Sequence, residues 1–305
     1  IIGYGAHLVR NGLGSVVTKM MEKEWVTHLM TNGAGTIHDF EFALMGKSTE
    51  DVRENIANGT FGIWEETGKY IHLALLVGAL EGRGYGESLG KVVCEEKLTL
   101  PTIEELKEQI SRKMETGENN LAAYSELLET MQKHSLASGE ISLSFPWKKH
   151  SLLANAFRLG IPLTVHPGIG YDIINTHPLY NGAVIGRGGG TDFKVFCKSM
   201  ENLSEGVFCS IGSAIMSPQV FEKAMSVVNN IGLQRGKKTE GHYILVNDLQ
   251  EGTWDWSKGE PPKDNPAYYL RYCKSFARMG GEMDYVCGNN RDIISGIYQQ
   301  LISGQ

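Results

Sequence analysis

The sequence predicts an α/β fold, built on a doubly wound, mostly parallel β-sheet with helices on both faces. Short, continuous apolar runs alternate with amphipathic segments along all 305 residues. Continuous apolar runs are typical of strands covered on both faces, and their alternation with helical patterns is typical of parallel sheets. Turns of small residues follow several of the runs, as is usual where strands lead into helices. We therefore interpret residues 1–305 as a single domain.

The strands are predicted at eight short apolar runs, each bounded by polar or small residues. They are residues 1–4, 26–30, 141–144, 162–166, 183–185, 207–211, 243–247 and 284–287. The first run begins at Ile1, which is not a methionine, so we expect further residues to precede it in the full protein.

Helices are predicted between these strands. Thr102 and Glu105 form a capping-box pattern, and apolar residues recur at helical spacing behind them. Periodic patterns also predict helices over residues 121–131 and 218–228. Residues 95–140 are the most polar part of the chain, and we interpret them as a helical insertion into the single domain.

A further short helix is predicted before the turn at Asn58 and Gly59. Ser48 and Asp51 are the residues that would open it, because short polar side chains favour the first position of a helix. Glycine after asparagine is a typical helix end.

Composition and charge narrow the range of partners. The net charge is −6 and no run of Lys or Arg exceeds two residues. These features argue against a nucleic-acid surface or an anionic membrane and favour a small cationic substrate. The five cysteines lie far apart without a C-x-x-C pair, which is typical of free thiols in a reducing, cytoplasmic environment. No apolar run approaches the ~18 residues of a membrane span.

Two glycine-rich turns are candidates for ligand binding. Residues 31–39 contain Gly33, Ala34 and Gly35 and follow a predicted strand, while residues 186–192 contain four glycines. Small residues let the backbone approach a ligand while the N–H groups of a following helix point at it. The alternatives are a tight turn without a ligand for the first segment and a flexible surface loop for the second.

Polar residues after other strands form a second group of candidates. His166, Asp172 and His177 lie close together in sequence and are expected to share one edge of a pocket. An alternative is that Asp172 only caps a helix. Residues 210–213 and residues 247–248 end two further strands and offer backbone N–H groups and a carboxylate, or simply form turns.

Four segments, in order along the chain, resemble the deoxyhypusine synthase family. Residues 2–8 resemble its first strand and turn, and residues 31–39 resemble its Thr-Thr-Ala-Gly-Gly turn. Residues 164–172 resemble a strand followed by its Asp-Gly-x-x-Gly-Asp loop, and residues 246–251 resemble its Asn-Thr-Ala-Gln-Glu strand end. The order is kept over most of the chain.

The resemblance implies a Rossmann-like fold, a homotetramer and bound NAD. It also implies an aminoalkyl transferase that oxidises spermidine or a related polyamine and passes an aminobutyl group through a lysine imine. The implied NAD-binding residues are Gly5, Ala6, His7, Asn32, Gly33, Ala34, Gly212, Ser213 and Asp248. The implied polyamine-binding residues are His38, Asp39, Asp172, Glu251 and Asp255. The implied catalytic residue is a nucleophilic lysine, Lys258 or Lys274. His166, after its strand, is a further candidate for catalysis.

Some positions depart from that family's pattern, and two alternatives follow from them. His38 stands where the family has its polyamine-binding acid, and no lysine follows a Trp-Gly pair. In one alternative the same fold is a metal-dependent enzyme that uses His38, His166, Asp172 and His177, which suit zinc, iron or manganese. In the other, the chain is a non-catalytic binding protein that retains the cofactor pocket.

Overall fold

Six strands pair into one parallel sheet in the computed structural model, which describes residues 1–48 and 50–304. The strands of the chain are β1 (Ile2–Tyr4), β2 (Leu29–Thr31), β3 (Lys97–Leu100), β4 (Gly139–Ser142), β5 (Leu163–Val165), β6 (Val207–Ile211), β7 (Tyr243–Asp248) and β8 (Glu282–Cys287). The order in the large sheet is β5-β2-β1-β6-β7-β8, with every pair parallel. Counted along this sheet alone, the order is the 3-2-1-4-5-6 arrangement of the Rossmann fold. The predicted doubly wound α/β fold is confirmed.

Helices connect consecutive strands of the large sheet, and one more helix follows the last strand. They are α1 (Ala6–Arg10), α2 (Gly14–Glu22), α3 (Gly33–Met45), α4 (Val52–Asn58), α5 (Tyr70–Leu80), α6 (Tyr85–Glu95), α7 (Ile103–Thr116), α8 (Leu121–Lys133), α9 (Leu152–Leu159), α10 (Gly182–Met200), α11 (Met216–Gln234), α12 (Arg271–Ala277) and α13 (Asn290–Ser303). A π-helical turn, Glu65–Lys69, leads into α5. Within the described ranges, none of the helices combines the length and the apolarity needed to cross a membrane.

Two hydrophobic cores lie on opposite faces of the sheet. Successive strand side chains point to opposite faces, and in β2 Leu29 belongs to one core while Met30 belongs to the other. The larger core joins the sheet to α1, α2, α3, α5, α6 and α9. The smaller core joins it to α10, α11 and α12, with Phe196, Phe221 and Phe276 completely buried. The strands therefore read as continuous apolar runs because both of their faces are covered.

The predicted strand at residues 141–144 does not belong to the large sheet. It corresponds to β4, which pairs antiparallel with β3 so that Leu98 lies opposite Ile141. In β3, Leu98 and Leu100 are buried while Lys97 and Thr99 are exposed, the alternation expected of a strand with one solvated face. The two strands enclose α7 and α8 and form a small α+β unit.

Two predictions are wrong for the segment that forms α10. We predicted a strand at residues 183–185 and a glycine-rich turn at residues 186–192, but all of these residues are helical. The side chain of Asn181 accepts hydrogen bonds from the N–H groups of Ala183 and Val184 and starts the helix. A β-carbon at Gly189 would lie only 2.8 Å from Pro167. The glycine therefore serves close packing of α10 against the segment after β5, and tertiary contact overrides the low helix propensity of glycine.

Candidate ligand-binding site at the carboxyl edge of the sheet

The strand order reverses between β1 and β6, and the segments that follow these two strands touch at this point. The N–H group of Gly5 donates to the carbonyl of Ile211 at 3.2 Å. A β-carbon at Gly5 would lie 2.1 Å from the carbonyl oxygen of Gly212 and 3.7 Å from the Cα of Ser213. Only glycine at position 5 permits this approach. Gly212 itself has a φ of +57°, so the turn after β6 also favours glycine.

Two helices begin at this crossing point. Gly5 caps α1 and Ile215 caps α11, and neither cap uses a side-chain hydrogen bond. His7 is exposed and Ala6 half-buried in the first turn of α1, and Arg10 ends that helix. In α11 the N–H of Ser217 already donates to Oγ of Ser213 at 3.2 Å, and Pro218 has no N–H, so α1 has the more open N-terminus. An open helix N-terminus is suited to bind an anion. The structure thus brings together five residues predicted from sequence to bind a cofactor: Gly5, Ala6, His7, Gly212 and Ser213.

The turn between β2 and α3 is already filled by side chains of the protein. Gly33 and Ala34 lie in the first turn of α3 instead of a preceding loop, and the side chain of Asn32 accepts from the N–H of Gly35 at 2.9 Å. The carboxylate of Asp172 accepts from the N–H of Gly168 at 2.7 Å and also binds the N–H of Gly33. This carboxylate lies where an anionic ligand of α3 would lie. Burial raises the pKa of Asp172, and the two N–H groups oppose that shift.

Asp39, which the resemblance assigned to substrate binding, holds the start of α9. It is 2% exposed, and its two carboxylate oxygens accept from the N–H groups of Leu152 at 2.8 Å and Leu153 at 3.0 Å. The hydroxyl of Ser151 donates to the same carboxylate at 2.5 Å. All of these contacts are made within the chain, so Asp39 has a structural place between α3 and α9.

His38 begins a chain of hydrogen bonds that we call the His38 chain. Its Nδ1 lies 2.5 Å from the hydroxyl of Ser48, which donates to Oε2 of Glu41 at 2.5 Å. The hydroxyl of Thr67 donates to Oε1 of the same buried carboxylate at 3.1 Å. Because the Ser48 hydroxyl donates its one proton to Glu41, it accepts from Nδ1–H of His38. The other ring nitrogen, Nε2, then carries the lone pair of the neutral ring.

The charge state of His38 follows from its position. Burial, together with the charges of Arg10 and His7, lowers the pKa of His38 to about 4. The imidazole is therefore neutral at pH 7. Since Arg10 and His7 belong to α1, His38 lies on the side of α3 that faces the crossing point of β1 and β6.

His166, which the sequence assigned to catalysis, belongs to a different and fully internal chain of hydrogen bonds. Its Nε2 lies 3.1 Å from the hydroxyl of Thr164, which in turn lies 2.9 Å from Nε2 of His28. Nδ1 of His28 is 2.8 Å from the hydroxyl of Ser199. Burial lowers the pKa of both His166 and His28 to about 3, so both rings are neutral and tie β5 and β2 to α10.

The four residues of the alternative metal site are not assembled into one. His177 stacks on His72 with ring centroids 5.5 Å apart, and its Nδ1 accepts from the N–H of Leu179. His38 and His166 are held in the two separate chains described above, and Asp172 faces Gly33. Among residues 1–48 and 50–304, no three His, Cys, Asp or Glu side chains are arranged to hold a metal ion.

A small cavity lies beside the His38 chain. Its volume is about 40 Å³, and Glu41, Glu50 and Trp64 line it together with Thr67 and Gly68 of the π-helical turn. The carboxylate of Glu50 accepts from the side chain of Asn55 at 2.7 Å and from the N–H of Gly62 at 3.2 Å. Two carboxylates and an indole around so small a space suit a single cationic group.

The two lysines implied as nucleophiles lie in different surroundings. Lys258 is 69% exposed and forms an ion pair with Asp255 at 3.1 Å. Lys274 is only 12% exposed, and its Nζ lies 3.2 Å from the ring centroid of Tyr268 and 3.8 Å from Glu260. The first lysine is a solvated surface charge, whereas the second is held by a cation–π contact and a carboxylate.

The remaining two acids of the predicted site are turn residues near the end of β7. The carboxylate of Asp248 accepts from the N–H of Gln250 at 3.2 Å, and Glu251 is exposed. Between β7 and β8, Asn247 donates to the carbonyls of Val286 and Gly288. Its buried Oδ1 finds no partner within the part of the chain that the structure describes.

Sequence reasoning missed the residues that connect to His38. Ser48 and Asp51 were expected to open a helix before Gly59; Asp51 does cap α4, by accepting from the N–H of Glu54, whereas Ser48 binds His38 and Glu41. Glu41 was not singled out. The available signal was helical spacing, because residues three apart on α3 face the same side and place Glu41 next to His38.

Comparisons with known proteins are sparse. No protein-family model matches this sequence, and no curated protein matches it. Among solved structures, it is similar to a conserved putative LOR/SDH protein from Methanococcus maripaludis S2, with 11% identity and a TM-score of 0.42. It is also similar to AgrE in a ternary complex with ornithine and NAD+, with 14% identity and a TM-score of 0.40. A third similar structure is ArgZ, an arginine dihydrolase from the ornithine–ammonia cycle in cyanobacteria, with 12% identity and a TM-score of 0.38.

These matches cover 99%, 100% and 99% of this chain but only 60%, 30% and 29% of the three proteins, in the same order. The chain therefore spans less than two thirds of each of them. None of the three is a deoxyhypusine synthase, and the predicted membership of that family is wrong. The predicted transfer of an aminobutyl group from spermidine is wrong with it. The nucleophilic role given to Lys258 or Lys274 came from that family's reaction and loses its basis.

Proposed function

We propose that this chain binds NAD across the carboxyl edge of its parallel sheet and acts on a small cationic substrate. The observation that carries the proposal is the strand order β5-β2-β1-β6-β7-β8, with its reversal between β1 and β6. In open α/β sheets, ligands bind outside the carboxyl ends of the strands at such a reversal, and this strand order is the one found in dinucleotide-binding folds.

The residues at the reversal fit the pyrophosphate of a dinucleotide. Gly5 and Gly212 keep the crossing point free of side chains, and the open first turn of α1 supplies backbone N–H groups. Arg10 adds positive charge on α1. The ribose contact differs from the usual one, because Thr31 and Asn32 end β2 where an acidic residue commonly binds the ribose hydroxyls.

The His38 chain supplies the acid–base group of the proposed reaction. NAD, when bound, accepts a hydride from the substrate carbon. A proton must leave the substrate at the same time, and the lone pair on Nε2 of neutral His38 can accept it. The positive charge that forms on the ring is then balanced through Ser48 by the carboxylate of Glu41, 2.5 Å from the Ser48 hydroxyl.

The cationic end of the substrate fits the cavity beside the His38 chain. Glu41 and Glu50 supply negative charge, and Trp64 supplies an aromatic face. A volume of about 40 Å³ admits one ammonium group but not a whole substrate molecule, so the rest of the substrate would extend outward. The acidic net charge of the chain, −6, also favours the approach of a cation.

Isothermal titration with NAD tests the proposal most simply, using a variant that repels phosphate without disturbing the fold. Ala6→Glu places a carboxylate in the first turn of α1, where an acidic side chain favours the helix itself. We expect NAD affinity to fall by about tenfold or more, a change of about 1.4 kcal/mol or more. The matched control is Ala122→Glu, at an exposed position in the first turn of α8.

Equal NAD affinity in the wild type and Ala6→Glu would contradict the location of the site, and no NAD binding to the wild type would contradict the function. If NAD binds but is not reduced in the presence of amines and amino acids, the chain is a binding protein that keeps the cofactor site. Thermal stabilisation alone would not separate these cases, because any ligand of the native state raises the unfolding temperature.

A further inference from the structure

A groove between α2 and α9 concentrates positive charge in an otherwise acidic protein. We call it the α2–α9 groove, and its volume is about 620 Å³. Four cationic side chains and one carboxylate, Glu22, line it. The cationic residues are Lys19, Lys148, Lys149 and Arg158. They are separated by up to 139 positions in the sequence and are brought together only by the fold.

Two of these cations are held in place by neighbouring groups. Arg158 donates to Oδ1 of Asn155 at 3.0 Å and to Glu22 at 2.8 Å. Asn155 is 6% exposed, and its amide also donates to the carbonyl of Lys149 at 3.1 Å. Lys148 binds Glu96 at 2.7 Å. The groove is therefore a built surface in which the position of Arg158 is fixed by a buried amide.

The other two cations have no counter-charge. No carboxylate lies within ion-pairing distance of Lys19 or Lys149 among residues 1–48 and 50–304. Both are exposed, on α2 and on the 3-10 turn before α9 respectively. They leave the groove with a positive field that an anion can neutralise.

A buried hydroxyl next to the groove also lacks a partner among the described residues. Thr18 lines the groove and is 6% exposed, and its Oγ1 forms no hydrogen bond within the described part of the chain. A threonine inside a helix commonly binds the carbonyl four residues earlier, but Thr18 does not. An unsatisfied buried hydroxyl is costly unless a ligand or water supplies the partner.

From these observations we infer that the α2–α9 groove binds a phosphorylated small molecule, at a site separate from the carboxyl edge of the sheet. Phosphate oxygens accept hydrogen bonds from a fixed guanidinium and from flexible ammonium groups, and the groove offers both. The buried hydroxyl of Thr18 next to them has no other partner among the described residues. Its volume lies in the range of small-molecule sites. Glu22 would release Arg158 to the incoming anion.

Titration with inorganic pyrophosphate at low salt tests the inference. The double variant Lys19→Gln, Lys149→Gln removes the two unpaired charges, and we expect affinity to fall by about tenfold or more. The matched control is Lys107→Gln, Lys133→Gln, which changes the net charge equally at exposed positions on α7 and α8 and is expected to leave affinity within about twofold of the wild type.

A second variant examines the buried hydroxyl. Thr18→Val keeps the shape of the side chain, and because the hydroxyl has no partner in the free protein, the unfolding temperature should not fall. Pyrophosphate affinity should still weaken several-fold, since the ligand loses one hydrogen bond. A merely structural role of Thr18 would lower the unfolding temperature instead.

The Ala6→Glu variant separates this groove from the proposed NAD site, because pyrophosphate binding in the groove should be unchanged by it. The inference is overturned if the wild type does not bind pyrophosphate at low salt, or if both double variants weaken binding equally. It is also overturned if hexaglutamate binds as tightly as pyrophosphate, which would indicate general attraction of polyanions.

Discussion

At the scale of single residues, the proposed chemistry depends on which nitrogen of His38 carries the proton. The Ser48 hydroxyl lies between Nδ1 of His38 and the carboxylate of Glu41, at 2.5 Å from each. This arrangement fixes the Nδ1–H form of the neutral ring and leaves Nε2 as the acceptor. A base of this kind is held by its neighbours before any substrate binds.

Ser48→Ala removes the acceptor of the Nδ1 proton, and we expect His38 to change to the Nε2–H form. Long-range ¹H–¹⁵N spectra of the histidine rings measure this directly. Loss of the hydrogen bond should lower the free energy of unfolding by about 1 kcal/mol. The matched control is Ser15→Ala, because the Ser15 hydroxyl lies 2.7 Å from Nδ1 of His150 in the same kind of contact. An Nδ1–H signal that persists in Ser48→Ala would contradict the assigned hydrogen-bond chain.

The role of a residue was predictable from the sequence where it depends on near neighbours along the chain, and was not predictable where it depends on distant residues. The capping box of Thr102 and Glu105 is present as predicted, because it depends on residues three apart. The partnership of Asp39 with Ser151 spans 112 positions, and no pattern around Asp39 points to it. A carboxylate in a helix after a glycine-rich turn looks the same in the sequence whether it binds a ligand or another helix.

At the scale of elements, Asp192 shows how one carboxylate joins several parts of the fold. It lies on α10, and its Oδ2 accepts from the N–H of Val165 in β5 at 2.6 Å and from the N–H of Gly86 in α6 at 2.9 Å. Burial raises the pKa of Asp192 to about 7, although both N–H groups oppose the shift. The native state therefore holds a proton that the unfolded chain releases near pH 4.

The sign of the resulting pH dependence can be stated. Between about pH 4 and pH 7 the native state binds more protons than the unfolded state at Asp192, so this residue's contribution to the free energy of unfolding falls as pH rises. Asp192→Asn removes that dependence. We therefore expect the free energy of unfolding of the variant, relative to that of the wild type, to rise by on the order of 2 kcal/mol between pH 5 and pH 8. Urea unfolding at each pH measures it.

The control for this experiment is Asp255→Asn. Asp255 is exposed, and hydrogen bonds from Ser257 and Lys258 lower its pKa, so it is ionised in both states throughout the range. The difference in the free energy of unfolding between Asp255→Asn and the wild type should stay constant with pH. If the free energy of unfolding of Asp192→Asn also differs from that of the wild type by the same amount at every pH, then Asp192 is ionised in the native state. The account of its burial would then be wrong.

α10 is the element whose structure differs most from the prediction made from its local sequence. Its four glycines between residues 186 and 190 have low helix propensity, and an apolar run precedes them. The helix forms because Asn181 caps it and because Gly189 allows contact with Pro167. Both the cap and the contact decide the structure, and the contact involves residues that are distant along the chain.

At the scale of the whole molecule, the six strands of the large sheet were predictable but their order was not. Each buried strand is a continuous apolar run that can be seen locally, whereas the neighbours of β1, namely β2 and β6, are set by packing over the whole chain. The same holds for the α2–α9 groove, whose cations come from residues 19, 148, 149 and 158. The sequence shows a net charge of −6 and gives no sign of a basic groove.

The strand order therefore carries the central claim, that NAD binds where the order reverses. Amide hydrogen exchange with and without saturating NAD tests it most directly, because the first amides of α1 lack capping side chains and should exchange rapidly in the free protein. The account predicts new protection in residues 5–10 and 212–217 when NAD is present. Protection confined to the α2–α9 groove, or no change at any residue, would contradict it.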